Sequence, residues 1–136
     1  GDMSGGFAPL KDIFKTKVYA LARWRNAKHQ DQLIPKSVLL RTPSAELRLN
    51  QTDEESLGAY EDLDQVLKAY IEHHKSAQQI ATPKLPLQYV QKTFKLVDDN
   101  EYKRRQGPPG IKVTPRAFGK DWRLPITNRY REGDSI

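Results

Sequence analysis

Apolar residues recur every three or four positions through most of this chain, a period that fits helices and little else. From Tyr60 to His73, Leu63, Val66, Leu67, Tyr70 and Ile71 fall on one stripe. From about Leu87 to Arg105 the corresponding line is Val90, Phe94 and Val97. Gly107-Pro108-Pro109-Gly110 stops that run, since proline lacks the N–H that a helix needs to continue and glycine favours turns. From Leu10 to Ala27, Phe14, Val18, Leu21 and Ala22 share a face while Lys11, Lys15, Arg23 and Arg25 occupy the other. A short helix is expected after Pro35, through Val38 and Leu39. Thr52 with Glu55, and Ser76 with Gln79, have the spacing of a capping box, in which each side chain satisfies a backbone N–H at a helix start.

Strand signals are scarce. Ile111–Thr114 is the one weak candidate, and no strand–helix–strand alternation occurs. The fold class expected is therefore mainly α: a helical bundle, or the helical flank of an α/β protein whose sheet lies elsewhere. Thr42–Gln51, with Pro43 and no periodicity, reads as a loop. The expected division is a helical part over residues 1–110 and an extended or disordered arm over 111–136, where Pro115, Gly119 and Pro125 interrupt any regular element.

Charge and composition narrow the chemistry. The 136 residues hold 23 Lys and Arg against 17 Asp and Glu, a net charge of +6 that attracts anions without choosing among nucleotides, nucleic acid and acidic lipid. No cysteine occurs, which excludes a disulfide framework, a zinc-thiolate site and a thiol nucleophile. No apolar run approaches the roughly 18 residues of a membrane span, and no signal-peptide pattern is present. The expectation is a soluble, cytoplasmic chain; beginning Gly-Asp-Met, it reads as part of something longer.

Isolated motifs say less. Ser4-Gly5-Gly6 could let backbone N–H groups approach a phosphate, but Phe7, Ala8 and Pro9 follow it, and a tight turn into the first helix is the better reading. His29, His73 and His74 have no neighbouring ligand at metal spacing. The acidic run Asp53-Glu54-Glu55 suits a first helical turn, although in a loop facing ATP it could hold magnesium. Asp98, Asp99 and Glu101 read as a solvated face. Lys103-Arg104-Arg105 is the strongest basic cluster, suited to a helix C-terminus or to phosphates.

Longer words are more specific. Gly1-Asp2-Met3-Ser4-Gly5-Gly6-Phe7-Ala8-Pro9-Leu10-Lys11-Asp12, then Phe14-Lys15-Thr16 and Leu21-Ala22-Arg23-Trp24-Arg25-Asn26, resemble the synthetase domain of glutamine-dependent NAD synthetases. So do Pro43-Ser44-Ala45-Glu46-Leu47-Arg48, Gln51-Thr52-Asp53-Glu54, Asn100-Glu101-Tyr102-Lys103-Arg104-Arg105-Gln106 and the stretch Pro108–Gly119. The words run in order and cover nearly the whole chain.

This resemblance implies the helical C-terminal portion of a Rossmann-like α/β synthetase domain of the N-type ATP pyrophosphatase family. It implies a ligase that amidates deamido-NAD to NAD, using ATP with Mg2+ and ammonia derived from glutamine, with no prosthetic group. By residue, Lys15 and Ser44 match ATP-binding positions, and Asp2, Tyr102 and Lys103 match deamido-NAD-binding positions. Asp2 also lies near the metal, with Asp53 and Glu54 as weaker metal candidates. Gly6 departs from ammonia-only relatives, which carry an aspartate there. The family's pyrophosphatase loop, metal-binding glutamate and glutaminase domain are not in this sequence. The expected partners are thus the N-terminal part of the synthetase, the glutaminase domain and a second copy in a homo-oligomer, and the chain alone is expected to be inactive. Two readings of other classes remain: a helical dimerisation module using Leu63–Ile71, and a nucleic-acid binder using Lys103–Arg105 and Arg116–Arg123, which lacks any recognisable nucleic-acid-binding motif.

Overall fold

The computed structural model describes residues 5–29, 32–41 and 57–127. The loop expected at Thr42–Gln51 and the Thr52–Glu55 capping box lie outside the described residues. Among the described residues six helices follow in order: α1 (Lys15–His29), α2 (Lys36–Leu40), α3 (Tyr60–Ile71), α4 (Ala77–Ile80), α5 (Leu87–Asp99) and α6 (Glu101–Gln106). No strand occurs among the described residues. The chain divides into two units, Phe14–Asp64 on one side and Gly1–Ile13 with Gln65–Ile136 on the other.

In the unit Phe14–Asp64, polar bonds tie both ends of α1 to described residues. The Asp64 carboxylate accepts the Thr16 N–H at 2.8 Å, satisfying one of the orphan donors at the start of α1. The Asn26 amide brackets Ile34, donating to its carbonyl at 2.8 Å and accepting its N–H at 3.1 Å, which ties the residue ahead of α2 to α1. Of the apolar face expected on the first helix, Phe14 precedes α1, no residue of α1 is buried, and Leu21 is exposed.

The other unit contains the core: Val66, Tyr70 and Ile71 of α3, Ala77 and Ile80 of α4, Leu85, and Val90, Phe94 and Val97 of α5. These are the stripes that helical periodicity marked. The Ser76–Gln79 capping box forms with both of its bonds. Thr82 and Leu85 close a tight turn around Pro83, Thr82 N–H on the Leu85 carbonyl at 2.9 Å, which drops Leu85 into the core. The Tyr70 ring stacks on Phe94 with centroids 3.7 Å apart, and its hydroxyl lies 3.2 Å from an Asp98 carboxylate oxygen. Because Val66, Tyr70 and Ile71 are consumed by this core, the Leu63–Ile71 stripe is not a free dimerisation face.

Four expectations are corrected. The helix placed from Leu10 begins at Lys15, because the preceding residues form i→i+3 turns, such as Ile13 N–H to the Leu10 carbonyl at 3.1 Å, and their side chains are committed elsewhere. The single helix from Leu87 to Arg105 is two. Asn100 leaves helical geometry at φ −98°, ψ 13°, and its amide donates to the Leu96 carbonyl at 2.7 Å. Glu101, read as part of a solvated face, is 1% exposed. Ile111–Thr114 is extended but pairs with no second strand among the described residues, because its N–H groups turn to a carboxylate instead.

That carboxylate is Asp12. It accepts the N–H of Val113 at 2.7 Å, of Thr114 at 2.8 Å and of Phe118 at 3.0 Å, and the Thr114 hydroxyl lies 2.9 Å from both of its oxygens. Residues 111–127 hold no helix, yet Ala117 is buried and Phe118 and Trp122 pack against the core. Burial alone would raise the Asp12 carboxyl, but the N–H groups of Thr114 and Val113, the Thr114 hydroxyl and the Phe118 N–H outweigh it and hold the carboxyl below the ordinary aspartate range. A depressed folded-state pKa adds stability that is complete above the unfolded value, near pH 4, and is lost as pH falls through the lower folded value. Asp12→Asn is expected to cost about 1.5–3 kcal/mol at neutral pH, the worth of hydrogen bonds to a charged group. It should also flatten part of the wild-type loss of stability below about pH 4. Thermal unfolding followed by circular dichroism from pH 7 to 3 measures both; equal stability of the two proteins at pH 7 would refute the clamp.

Candidate functional site: a cationic cavity beside helix α6

Lys11, next to Asp12, grips the same region. Its ammonium donates to the carbonyls of Arg104 at 3.2 Å and Pro108 at 2.9 Å, serving the C-terminal end of α6, where free carbonyls favour a cation. Its stem runs between glycines. A Cβ on Gly119 would lie 2.7 Å from Lys11 Cε, and one on Gly110 would lie 2.6 Å from the Ala8 carbonyl oxygen and 2.9 Å from Lys11 Cβ. The Ala8 N–H meanwhile donates to the Pro109 carbonyl at 2.8 Å, so the two backbones run in contact. The glycines in Gly107-Pro108-Pro109-Gly110 and at Gly119 thus make room for a lysine as well as breaking helices.

Around this grip opens a cavity of about 320 Å³ lined by six cationic side chains, Lys11, Arg104, Arg105, Lys112, Lys120 and Arg123, with Asp12 as the one carboxylate. Glu101 organises the guanidinium groups. It pairs with Arg104 at 2.7 Å and Arg105 at 2.9 Å, and Arg123 stands 3.8 Å away. Burial would raise the Glu101 carboxyl; the bonds from Arg105 and Arg104, the charge of Arg104 and the Leu124 N–H reverse this and lower it. Arg104 also donates to the Val97 carbonyl at 2.7 Å and lies 4.6 Å from the Phe118 ring centroid, so its position is fixed on every side. Lys112 pairs with Asp121, whose carboxyl is held low by Lys112 and the Ala117 N–H. The arrangement concentrates positive charge around one cavity.

The site residues expected from the sequence are distributed differently. Tyr102 and Lys103 are neighbours on α6, both exposed. Lys15 belongs to the other unit, exposed at the start of α1 with its ammonium 5.7 Å from the Tyr60 ring centroid. Asp2, Ser44, Asp53 and Glu54 lie outside the described residues. Among the described residues no group of three or more His, Cys, Asp or Glu could hold a metal ion, and no helix is long and apolar enough to cross a membrane. Sequence reasoning noticed the basic runs at Lys103–Arg105 and Arg116–Arg123 but missed Lys11, Asp12 and Glu101. The available signal was the repeated pairing of glycine and proline with cations between Lys103 and Arg123.

Comparison with known proteins adds the family. A family model described as NAD synthase matches residues 1–107. The chain belongs to the NAD synthase family. The glutamine-dependent NAD(+) synthetase of Aquifex aeolicus (strain VF5) is 55% identical over 130 residues, covering 96% of this chain and 23% of that protein. That of Thermotoga maritima is 46% identical over 132 residues, covering 97% and 23%. A solved structure of the glutamine-dependent NAD+ synthetase from Acinetobacter baumannii, in complex with adenosine diphosphate, superposes with a TM-score of 0.53 at 42% identity, over 98% of this chain and 23% of that one. The chain thus spans about a quarter of the length of the curated relatives it matches.

Close packing around Lys11 predicts a graded response to alanine. Gly110→Ala must move backbone and is expected to cost about 1–3 kcal/mol, the usual range for overpacking. Gly6→Ala, with nothing within 4 Å of the added methyl, should change stability by less than about 0.5 kcal/mol. Urea unfolding of the two variants checks this, and equal midpoints would disprove the close approach.

Proposed function

We propose that this chain works as the helical C-terminal part of a Rossmann-like synthetase domain that converts deamido-NAD to NAD. The observation that supports this is the 55% identity to a glutamine-dependent NAD(+) synthetase across 96% of the chain. In the proposed reaction the nicotinate carboxylate attacks the α-phosphorus of ATP and pyrophosphate leaves. Ammonia from glutamine then attacks the acyl carbon, and AMP departs with the electron pair of the broken C–O bond. Adenylation is needed because a free carboxylate is a poor acyl donor.

The residues of this chain bind and position. Lys15 and Ser44 are assigned to ATP, the lysine as a point charge for phosphate oxygens. Asp2, Tyr102 and Lys103 are assigned to deamido-NAD. Magnesium accompanying ATP is assigned to Asp2, with Asp53 and Glu54 as the weaker candidates; all three lie outside the described residues. The remaining three quarters of the relatives' length would supply the sheet, the pyrophosphatase loop and the ammonia source, and a second copy would complete a homo-oligomer in the cytoplasm.

A chimera tests this directly. Replacing the corresponding segment of the Aquifex aeolicus enzyme with this chain is expected to give a protein that forms NAD from deamido-NAD, ATP and glutamine. A folded but inactive chimera would overturn the proposal. Within an active chimera, Lys103→Ala should raise the KM for deamido-NAD roughly ten- to a hundredfold, the cost of one charge-assisted bond, with a smaller effect on ATP. Equal effects on both substrates would remove Lys103 from the dinucleotide site.

A further inference from the structure

We infer that Asp64 and Tyr60 are positioning residues for Lys15, setting where its ammonium stands in the ATP site proposed above. The inference rests on that assignment of Lys15 and adds what holds the lysine in place. α1 begins against the local rule, since a helix N-terminus is the positive end of the helix dipole and favours acidic side chains. Its first turn has no acidic residue, and Lys15 and Lys17 stand there instead. No residue of α1 is buried, so apolar packing does little to fix where the helix starts. Lysine is a point charge on a flexible four-carbon stem, so the anchoring of its backbone decides what the charge can reach.

The anchor comes from α3. Asp64 lies 48 positions from Thr16, yet its carboxylate accepts the Thr16 N–H at 2.8 Å and brings to the helix start the negative charge that α1 lacks there. Asp64 is 9% exposed, and an acidic side chain is rarely so buried without a partner of this kind. Tyr60 precedes it by one helical turn, and residues four apart share a face of a helix. The Tyr60 ring centroid lies 5.7 Å from the Lys15 ammonium, within reach of a cation–π attraction. One face of α3 therefore holds two consecutive residues of α1, Lys15 by its side chain and Thr16 by its backbone. All four belong to the unit Phe14–Asp64. A plain helix cap accounts for the Asp64 bond. It does not account for lysines in the turn being capped, or for an aromatic ring beside the ammonium of the first.

The test is steady-state kinetics on the active chimera, with ATP and deamido-NAD varied in turn. Lys15→Ala is expected to raise the KM for ATP. Asp64→Ala should raise it roughly three- to tenfold, the worth of one ordinary hydrogen bond, and leave the KM for deamido-NAD as it was. Asp64→Asn keeps an oxygen for the Thr16 N–H and should recover most of the loss. In the Lys15→Ala background, adding Asp64→Ala should change the KM for ATP less than about twofold, because residues that act through one another are not additive. Tyr60→Ala should behave as Asp64→Ala does, and its cycle with Lys15→Ala decides the question if Asp64→Ala does not fold; thermal melts establish which variants fold. A wild-type KM for ATP in Asp64→Ala and Tyr60→Ala overturns the inference, as does an equal rise with and without Lys15. So does a matching rise for both substrates, which a general loss of structure would give. Lys15→Ala with an unchanged KM for ATP removes Lys15 from the ATP site and ends the inference. All of these results leave NAD formation by the chimera standing, whereas an inactive chimera overturns the amidation proposal itself and the role of Lys15 with it.

Discussion

The unit that contains the core depends on one buried carboxylate. Asp12 lies about a hundred positions from Val113, Thr114 and Phe118, and its oxygens gather their N–H groups within 3.0 Å. Successive backbone N–H groups wrapped around an anion are what phosphate-binding loops offer a ligand. Here the anion is a side chain of the same protein, and the wrapped segment becomes structure. Without it, residues 111–118 would have polar backbone to satisfy and no strand partner, and Ala117 and Phe118 would lose their registration against the core.

Lys11 extends the same grip in the opposite sign. Its ammonium completes the carbonyl end of α6, and its stem fills the space left by Gly110 and Gly119. A single dipeptide therefore fixes the two walls of the cavity, the α6 end by its lysine and the 113–118 segment by its aspartate. Glu101 then sets the guanidinium groups. A buried carboxylate with two arginines is a poor stabiliser in net terms, because desolvation offsets most of the attraction. What it gains is placement: Arg104 and Arg105 are held where a flexible surface pair would wander. Concentrating so many cations in one place costs stability through mutual repulsion, a cost the carboxylates reduce and a bound anion would relieve.

The unit Phe14–Asp64 is built on other terms. No residue of α1 is buried, and polar ties among the described residues include a carboxylate cap from Asp64 and the Asn26 bracket on Ile34. Short helices draw most of their stability from packing an apolar face, and the described residues provide little for α1. Exposed Leu21, Trp24, Leu33, Val38 and Leu40 belong to this same unit, in a chain about a quarter as long as its relatives.

Local pattern determined much on its own. The stripes of α3 and α5, the Ser76–Gln79 cap, the helix after Pro35 and the stop at Gly107 were all legible, because each depends on side chains within one or two turns of each other. Ordered words also sufficed to place the chain in its family, since their identity does not depend on where they fold. What only the tertiary structure decided are the contacts between distant residues. Asp12 gave no sign that it would lie outside the first helix, which starts only at Lys15, or turn Ile111–Thr114 from a strand candidate into a cradle, because its partners lie about a hundred residues away. Glu101 looked solvated among Asp98, Asp99 and Lys103, and became the buried centre of an arginine cluster only once Asn100 broke the helix and Arg123 returned to its side. Charge is visible in a sequence, but its direction is not, and the cavity exists because folding turned six scattered cations toward one space.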